Sequence, residues 1–218
     1  MTPRRTYGDR CGVARALDLV GERWGLLVVR GLLFGPKRFT DLQVGLPNVS
    51  PDVLAQRLRE LEESGIVRRR RLPPPASARV YELTGRGHEL EPVIVALGRW
   101  GSTAPGSPGD ARLGVDSLVL ALKTLFDPSA ADGFDATFEL RVGEQHFWVQ
   151  VADGRLELGR GDAVQPVAAI EADSGTFAAL LWQGLPLSAS MRSGDLQIEG
   201  SVAAVTRFLR LFPLPPQP

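Results

Sequence analysis

The first half of the chain carries apolar residues at helical spacing. Two stripes separated by Gly21 predict two helices, since each buries one face. Their members are Val13, Ala16, Leu17 and Val20, and then Trp24, Leu27, Val28 and Leu32. Phe39, Leu42 and Val44 predict a short third helix, which Gly45 and Pro47 end.

The fourth predicted helix has the clearest boundaries. Ser50 is a typical N-cap, and Pro51 fits the first helical position, where its missing N–H leaves no bond unmade. Gly65 is suited to the C′ position that ends the helix. The apolar stripe between them consists of Leu54, Leu58 and Leu61. This pattern predicts a helix from position 51 to the glycine.

A β-hairpin and a last helix follow. The runs Ile66–Leu72 and Arg79–Leu83 favour strands, and the proline-rich segment between them predicts a stiff tip. Thr84 is expected to cap the next helix, with Pro92 marking a kink or a late start. The predicted order is four helices, a hairpin and a helix.

The second half alternates apolar and polar residues from Asp135, which is typical of half-buried strands. Asp153-Gly154 predicts a type I′ hairpin turn. A helix over Leu113–Phe126 leads in, and a strand over Val167–Ala172 precedes a helix that Asp173 or Ser174 caps. This half is therefore predicted to be α+β.

Charge divides the chain at the same place as composition. Residues 1–100 hold 17 basic and 11 acidic side chains, whereas residues 101–218 hold 8 and 14, although the whole chain is neutral. A Gly/Pro/Ser-rich stretch over 102–112 predicts a linker. We expect a domain over 1–101, this linker, and a second domain over 113–218. The basic half suits a polyanion such as DNA.

Several functional classes are excluded by what the sequence lacks. One cysteine and two histidines give no zinc-site spacing, so no metal and no cofactor is expected. No run approaches the ~18 apolar residues of a membrane span, and no export signal opens the chain. Neither a Gly-x-Ser-x-Gly elbow nor a phosphate-binding loop is present. We expect a cytoplasmic protein that is not an enzyme and does not bind a membrane.

The order of the first-half elements is that of a winged helix-turn-helix, whose second helix enters the major groove. Gln56 is suited to reading adenine, and an arginine to reading guanine. The arginines of the hairpin fit phosphates or the minor groove. The alternatives are that the arginine run is a solvated face and that Arg57 pairs with a neighbouring glutamate. The predicted DNA-binding residues are Lys37, Arg38, Ser50, Asp52, Gln56, Arg57, Arg59, Arg68, Arg69, Arg70, Arg71 and Arg79.

Several ordered segments occur at compatible spacing within residues 8 to 101: Cys11–Trp24, Gly35–Leu42, Leu54–Leu61, Gly65–Val67, Tyr81–Thr84 and Leu97–Trp100. Together they resemble the HxlR family of bacterial regulators. The resemblance implies a dimer formed by the terminal helices, binding to palindrome-like duplex DNA sites, and usually repression. Some members of that family sense oxidants through a cysteine at the position of Cys11. We interpret Cys11 as an ordinary buried thiol, with redox sensing as the alternative.

The tail over Gly194–Phe212 is similar to the last strand and helix of sterol-carrier-protein-like domains, a resemblance that spans roughly residues 113 to 212. It implies an apolar pocket and a hydrophobic small-molecule effector. The alternatives are a hydrophobic-ligand carrier and a dimerisation or docking module with a filled core. His146 is assigned no role. The predicted ligand-binding residues are Phe138, Phe147, Trp148, Phe177, Leu181, Trp182, Met191 and Phe208.

Overall fold

A computed structural model describes residues 6–74, 77–104 and 113–215. The chain forms two compact units, Met1–Ile94 and Val95–Pro218. Helices and sheets occur in both, as the α+β prediction requires. The division falls inside a helix, whereas the sequence places a linker over 102–112. That linker stays a prediction, because most of it lies outside the described residues.

The four predicted helices are present in the first unit. Trp24 is an exception to its predicted place in the second stripe, because its φ of 79° puts it before that helix as the N-cap. Such a backbone is costly for a bulky residue. Val44 is exposed, so it marks the third helix without joining the core. The helices are α1 (Gly12–Val20), α2 (Gly25–Leu32), α3 (Phe39–Gly45) and α4 (Pro51–Glu63).

The hairpin and the last helix of the first unit follow. Strands β1 (Val67–Arg71) and β2 (Arg79–Leu83) pair antiparallel. Thr84 caps only the short α5 (Gly85–His88), and a separate α6 (Glu91–Gly101) begins after it. The prediction of one helix from Thr84 was therefore wrong, while the late start at Pro92 is confirmed. Lys37 bridges β2 through two backbone bonds with Tyr81, of 2.9 and 2.8 Å.

The second unit has one five-stranded sheet in the order β5-β4-β3-β6-β7, in which only the β3–β6 pair is parallel. The sequence missed α9, which carries few apolar residues. The positive φ angles of Asp153 and Gly154, 51° and 68°, confirm the hairpin turn. The elements are α7 (Val115–Leu125), β3 (Ala136–Val142), β4 (Gln145–Ala152), β5 (Arg155–Arg160), β6 (Ala168–Ala172), α8 (Ser174–Trp182), α9 (Leu187–Ser193), β7 (Leu196–Gly200) and α10 (Val202–Leu209).

One face of this sheet forms the core with the helices. Alternation along β3 and β4 buries Phe138 and Phe147 on that face. The Phe138 ring lies 4.5 Å from Phe208 of α10, and Phe208 lies 5.0 Å from Phe212, centroid to centroid. These aromatic rings pack against one another, which contributes to the stability of the unit.

Candidate nucleic-acid interface

The N-terminal half of α4 presents its polar face to solvent. Its other face is fixed by Leu54 and Leu58, which are fully buried. The Ser50 hydroxyl accepts from the Val53 N–H at 3.4 Å and caps the helix, as predicted. Asp52, Gln56 and Arg59 are exposed on the opposite side. The arrangement leaves a polar helix face available to the base edges of a DNA groove.

A hydrogen bond joins Gln56 and Arg59 on this face. The Gln56 amide donates to Glu60 Oε1 at 2.7 Å, and Arg59 Nη2 donates to Gln56 Oε1 at 2.5 Å. The Gln56 amide is thereby oriented before any ligand arrives. A base that bonds to Gln56 must replace or share these bonds, which favours partners with both a donor and an acceptor.

Arg57 departs from its predicted role. Its side chain is only 15% exposed and forms ion pairs with Glu60 and, at 3.6 Å, with Glu22. This is the alternative in which Arg57 pairs with a neighbouring glutamate. Exposing its guanidinium to DNA would require breaking part-buried ion pairs, which is costly. We therefore leave Arg57 out of the proposed DNA contacts. We interpret its ion pairs with Glu22 and Glu60 as contacts that stabilise the first unit.

The wing, defined as β1 and β2, carries arginines on both faces. On one face, Arg68 and Arg70 each form an ion pair with Glu82. On the other, Arg69 pairs with Glu62 at 2.8 Å and lies over the Tyr81 ring. The sequence run did not reveal these partners, because two of the three pairs form across the hairpin and the third reaches back to α4.

Arg71 and Arg79 differ from the other wing arginines. They face each other directly in the β1–β2 register, and both are exposed. Within the described residues neither forms an ion pair with a carboxylate. Like charges opposite each other destabilise a strand pair. A phosphate bound between these two side chains would relieve that repulsion.

The two remaining basic residues of the predicted set lie at the start of α3. Lys37 is half-buried, and its backbone bonds with Tyr81 join it to the hairpin. Arg38 is exposed, and its backbone N–H donates to Asp41 Oδ2 at 3.2 Å. This bond caps the helix and leaves the Arg38 side chain at the surface. Both residues stay predicted contacts.

Cys11 is exposed, so the interpretation of a buried thiol was wrong. It stands immediately before α1, where backbone N–H groups lack helical partners. The backbone N–H groups of Val13 and Ala14 favour the thiolate and lower the pKa of Cys11 below its ordinary value. The thiolate fraction of Cys11 at neutral pH is therefore raised.

Cys11 is expected to react with iodoacetamide at lower pH than a free cysteine. The cause is the lowered pKa of the folded thiol, since only the thiolate attacks. The measurement is the alkylation rate against pH, with the same protein unfolded in urea as the control. Equal midpoints in the folded and unfolded protein would contradict this expectation.

The predicted ligand-binding residues do not line one space. Four of them are fully buried in the core of the second unit: Phe138, Phe147, Phe177 and Phe208. Leu181 and Trp182 are half-buried on α8, and Met191 of α9 is exposed. The inclusion of Trp148 was an error of register. It follows Phe147 in β4 and so lies on the other sheet face, where its ring packs on Gly159.

That other sheet face holds a cluster that sequence reasoning missed. His146 Nδ1 lies 2.8 Å from Asp162 Oδ1 and 3.7 Å from Glu139 Oε1. Arg141 Nε donates to the same Glu139 oxygen at 2.7 Å, and the pKa of Arg141 is raised by this bond. Because Arg141 already neutralises this carboxylate, we interpret the cluster as an ion-pair network on the sheet. The pairing of β3 with β4 explains this cluster, because it places Arg141 directly opposite His146.

Comparisons with known proteins match the two halves separately. Residues 19–106 match the family described as HxlR-like helix-turn-helix, and residues 121–213 match the SCP-2 sterol transfer family. The chain is 38% identical over 86 residues to YvaP of Bacillus subtilis, described as an uncharacterized HTH-type transcriptional regulator. That match covers 39% of this chain and 80% of YvaP.

A second relative has a solved structure. YodB of Bacillus subtilis, an HTH-type transcriptional regulator, is 39% identical over 85 residues, which are 39% of this chain and 76% of YodB. The structure of its reduced form is 36% identical, with a TM-score of 0.40, and covers 47% of this chain and all of that chain. These relatives are regulators and not enzymes. No helix among the described residues is both long and apolar enough to cross a bilayer.

Proposed function

Because this chain belongs to the HxlR family of helix-turn-helix regulators and carries an SCP2-like domain at its C-terminal end, we propose that it is a dimeric repressor responsive to a hydrophobic small molecule. Such a protein would act on duplex DNA in the cytoplasm. The DNA-binding part of this function is shared with its relatives. The dimer, the sign of regulation and the effector are the proposal.

The observation that carries DNA binding is the pairing of α4 with the wing. The capped helix exposes Gln56 and Arg59, and the adjacent hairpin carries five arginines. Amide and guanidinium groups on a groove-sized helix suit base edges, while flanking arginines suit phosphates. The first half of the chain also has a net charge of +6, which favours approach to DNA.

Exposed apolar side chains support a dimer. Val13 and Leu17 lie on one side of α1 and are 68% and 40% exposed. On α6, Val93, Leu97 and Trp100 follow at spacings of four and three residues and are also exposed. Exposure of such apolar stripes to water is unfavourable, and packing against a second copy of the chain would bury them. A dimer would present two copies of α4 and could read an inverted repeat, whereas one copy of the chain cannot.

The experiment for this part of the proposal is selection of bound duplexes from a random library, followed by sequencing. The expected result is an enriched inverted repeat. A dimer mass for the free protein in native mass spectrometry would support the assembly. Recovery of duplexes with no shared motif would refute sequence-specific binding.

An apolar segment over α8 and α9, which we call the α8–α9 edge, supports a hydrophobic ligand. Leu181 and Trp182 are half-buried there, and Leu185 and Met191 are exposed. The Trp182 Nε1–H donates to the Phe212 carbonyl at 3.0 Å, which ties this edge to the aromatic core. An apolar ligand can cover these side chains, or enter by displacing the rings beneath them.

A fluorescent fatty acid tests the ligand proposal. Met191→Glu is expected to weaken its binding about ten-fold or more, because a carboxylate at this edge opposes apolar burial. Trp148→Phe is the matched control, since Trp148 lies on the other sheet face and should leave binding unchanged. The measurement is the binding isotherm of the probe to the full chain. Equal loss in both variants, or in neither, would contradict a site at α8 and α9.

Regulation further requires that the ligand bind the free and DNA-bound states differently. The expected result is a change in operator affinity when the probe saturates the protein. Operator affinity that is equal with and without bound probe would leave the C-terminal domain as a carrier or docking module. The same titration therefore separates the proposal from its alternatives.

A further inference from the structure

Glu82 lies between two arginines of the wing. It sits on β2, and its side chain is only 11% exposed. Its Oε1 atom lies 2.7 Å from Arg68 Nε, and its Oε2 atom lies 3.1 Å from Arg70 Nε. Both carboxylate oxygens are thus in use, one for each guanidinium.

The strand register explains this arrangement. Glu82 pairs directly with Arg68 across the hairpin, and Arg70 lies two residues further along the same face. Positions two apart on a strand are separated by roughly 6.7 Å, so one carboxylate can reach both. A directly opposed pair of opposite charges also stabilises the hairpin.

Both contacts involve the inner nitrogen of the arginine: Arg68 Nε donates a hydrogen bond to Glu82 Oε1, whereas Arg70 Nε forms an ion pair with Oε2. The Nε–H group is one of five donors on a guanidinium, and the other four belong to the two Nη atoms at its outer end. The side chains of Arg68 and Arg70 are still 65% and 50% exposed. Glu82 therefore contacts each guanidinium at Nε, and the Nη donors remain available to an anion.

Glu82 also lowers the net charge of the wing. The arginines attract any phosphate backbone, whatever its sequence, and this attraction provides most of nonspecific binding. One carboxylate close to two of these arginines reduces that attraction. It also keeps their guanidinium planes in place, which favours contacts of fixed geometry.

We propose that Glu82 is a positioning residue that sets the selectivity of the wing: it orients Arg68 and Arg70 and limits their attraction to nonspecific DNA. This inference rests on the proposed DNA-binding function. The DNA-binding surface of the wing would then include one acidic residue in addition to its arginines.

The test is Glu82→Gln in the full chain, which keeps the side-chain shape and removes the charge. Nonspecific binding to a random duplex is expected to become about five-fold tighter at about 0.15 M salt, with a log–log salt slope steeper by about 0.9. Binding to the selected operator should gain less, because the arginines lose their orientation. The ratio of operator affinity to nonspecific affinity should therefore fall.

Glu63→Gln is the matched control. Glu63 is exposed near the end of α4, and within the described residues it has no ion pair. The substitution removes the same charge from the same unit. It should change the salt slope and the affinity ratio less than Glu82→Gln does, because Glu63 does not contact a wing arginine.

A second measurement is independent of DNA. Hydrogen exchange of the Arg68 Nε–H group, which donates to Glu82, should be slow in the wild type and faster in Glu82→Gln when followed by NMR. Faster exchange at the Arg68 Nε–H alone supports positioning, whereas general loss of protection reports unfolding of the variant and contradicts a local role.

The outcomes separate this inference from the proposed function. If the wild type binds an operator but Glu82→Gln matches Glu63→Gln in slope and affinity ratio, the inference is wrong and the function stands. If the wild type binds no duplex, both are wrong. A steeper slope with a lower affinity ratio in Glu82→Gln alone supports the inference.

Discussion

Leu97→Glu is expected to convert the proposed dimer into monomers and to weaken operator binding about a hundred-fold or more, since linked half-site recognition contributes on that scale. The exposed face of α6, with Leu97 between Val93 and Trp100, is apolar. A glutamate there would place an unpaired carboxylate in a buried interface. Light scattering measures the mass, and fluorescence anisotropy with the selected operator measures the affinity.

The control for this variant is Val164→Glu. Val164 is 84% exposed and lies between β5 and β6 of the second unit, outside α1 and α6. The Val164→Glu substitution introduces the same carboxylate at an exposed apolar position. The control should remain a dimer and bind as the wild type does. A dimeric Leu97→Glu protein with unchanged operator affinity would remove α6 from the interface.

The second large effect is expected for the double variant Arg71→Ala and Arg79→Ala. Loss of two phosphate contacts should make the log–log salt slope shallower by about 1.8, which corresponds to about thirty-fold weaker binding at about 0.15 M salt. The loss should be similar for operator and random duplexes, because phosphates carry no sequence information. The measurement is a set of titrations at several salt concentrations.

The hairpin itself should tolerate this double change. Arg71 and Arg79 repel each other across the ladder, so their removal is expected to raise the thermal midpoint slightly or leave it unchanged. The equal-charge control is the pair Arg192→Ala and Arg210→Ala in the second unit, where both arginines are exposed. If the control and the wing variant show the same slope, net charge explains the effect and the wing does not contact DNA.

Local signals predicted the boundaries of α4 well. A cap such as Ser50 and a stop such as Gly65 act over a few residues, so the sequence carries them directly. The break at Trp24 was missed because a left-handed backbone is rare for a bulky residue, and periodicity alone continues through it. The apolar stripe of α1 was predicted to be buried, although Val13 and Leu17 are 68% and 40% exposed.

The candidate sites were predicted less completely because their contacts join distant residues. The ion pairs of Arg68 and Arg70 depend on the hairpin register, which the sequence run does not state. Trp148 is different, since alternation already places neighbours such as Phe147 and Trp148 on opposite sheet faces. Grouping both with a single pocket ignored that signal. The ring contacts among Phe138, Phe208 and Phe212 required the folded chain.

The proposed function depends on the exposed face of α4 reading DNA sequence. Its most direct test is to run the duplex selection with the wild type and with Gln56→Ala, and to compare base preferences position by position. We expect an inverted repeat for the wild type and, for Gln56→Ala, a relaxed base preference at one symmetric pair of positions with the other preferences retained. Identical preferences for the two proteins, or a uniform loss of affinity without a change in preference, would contradict it.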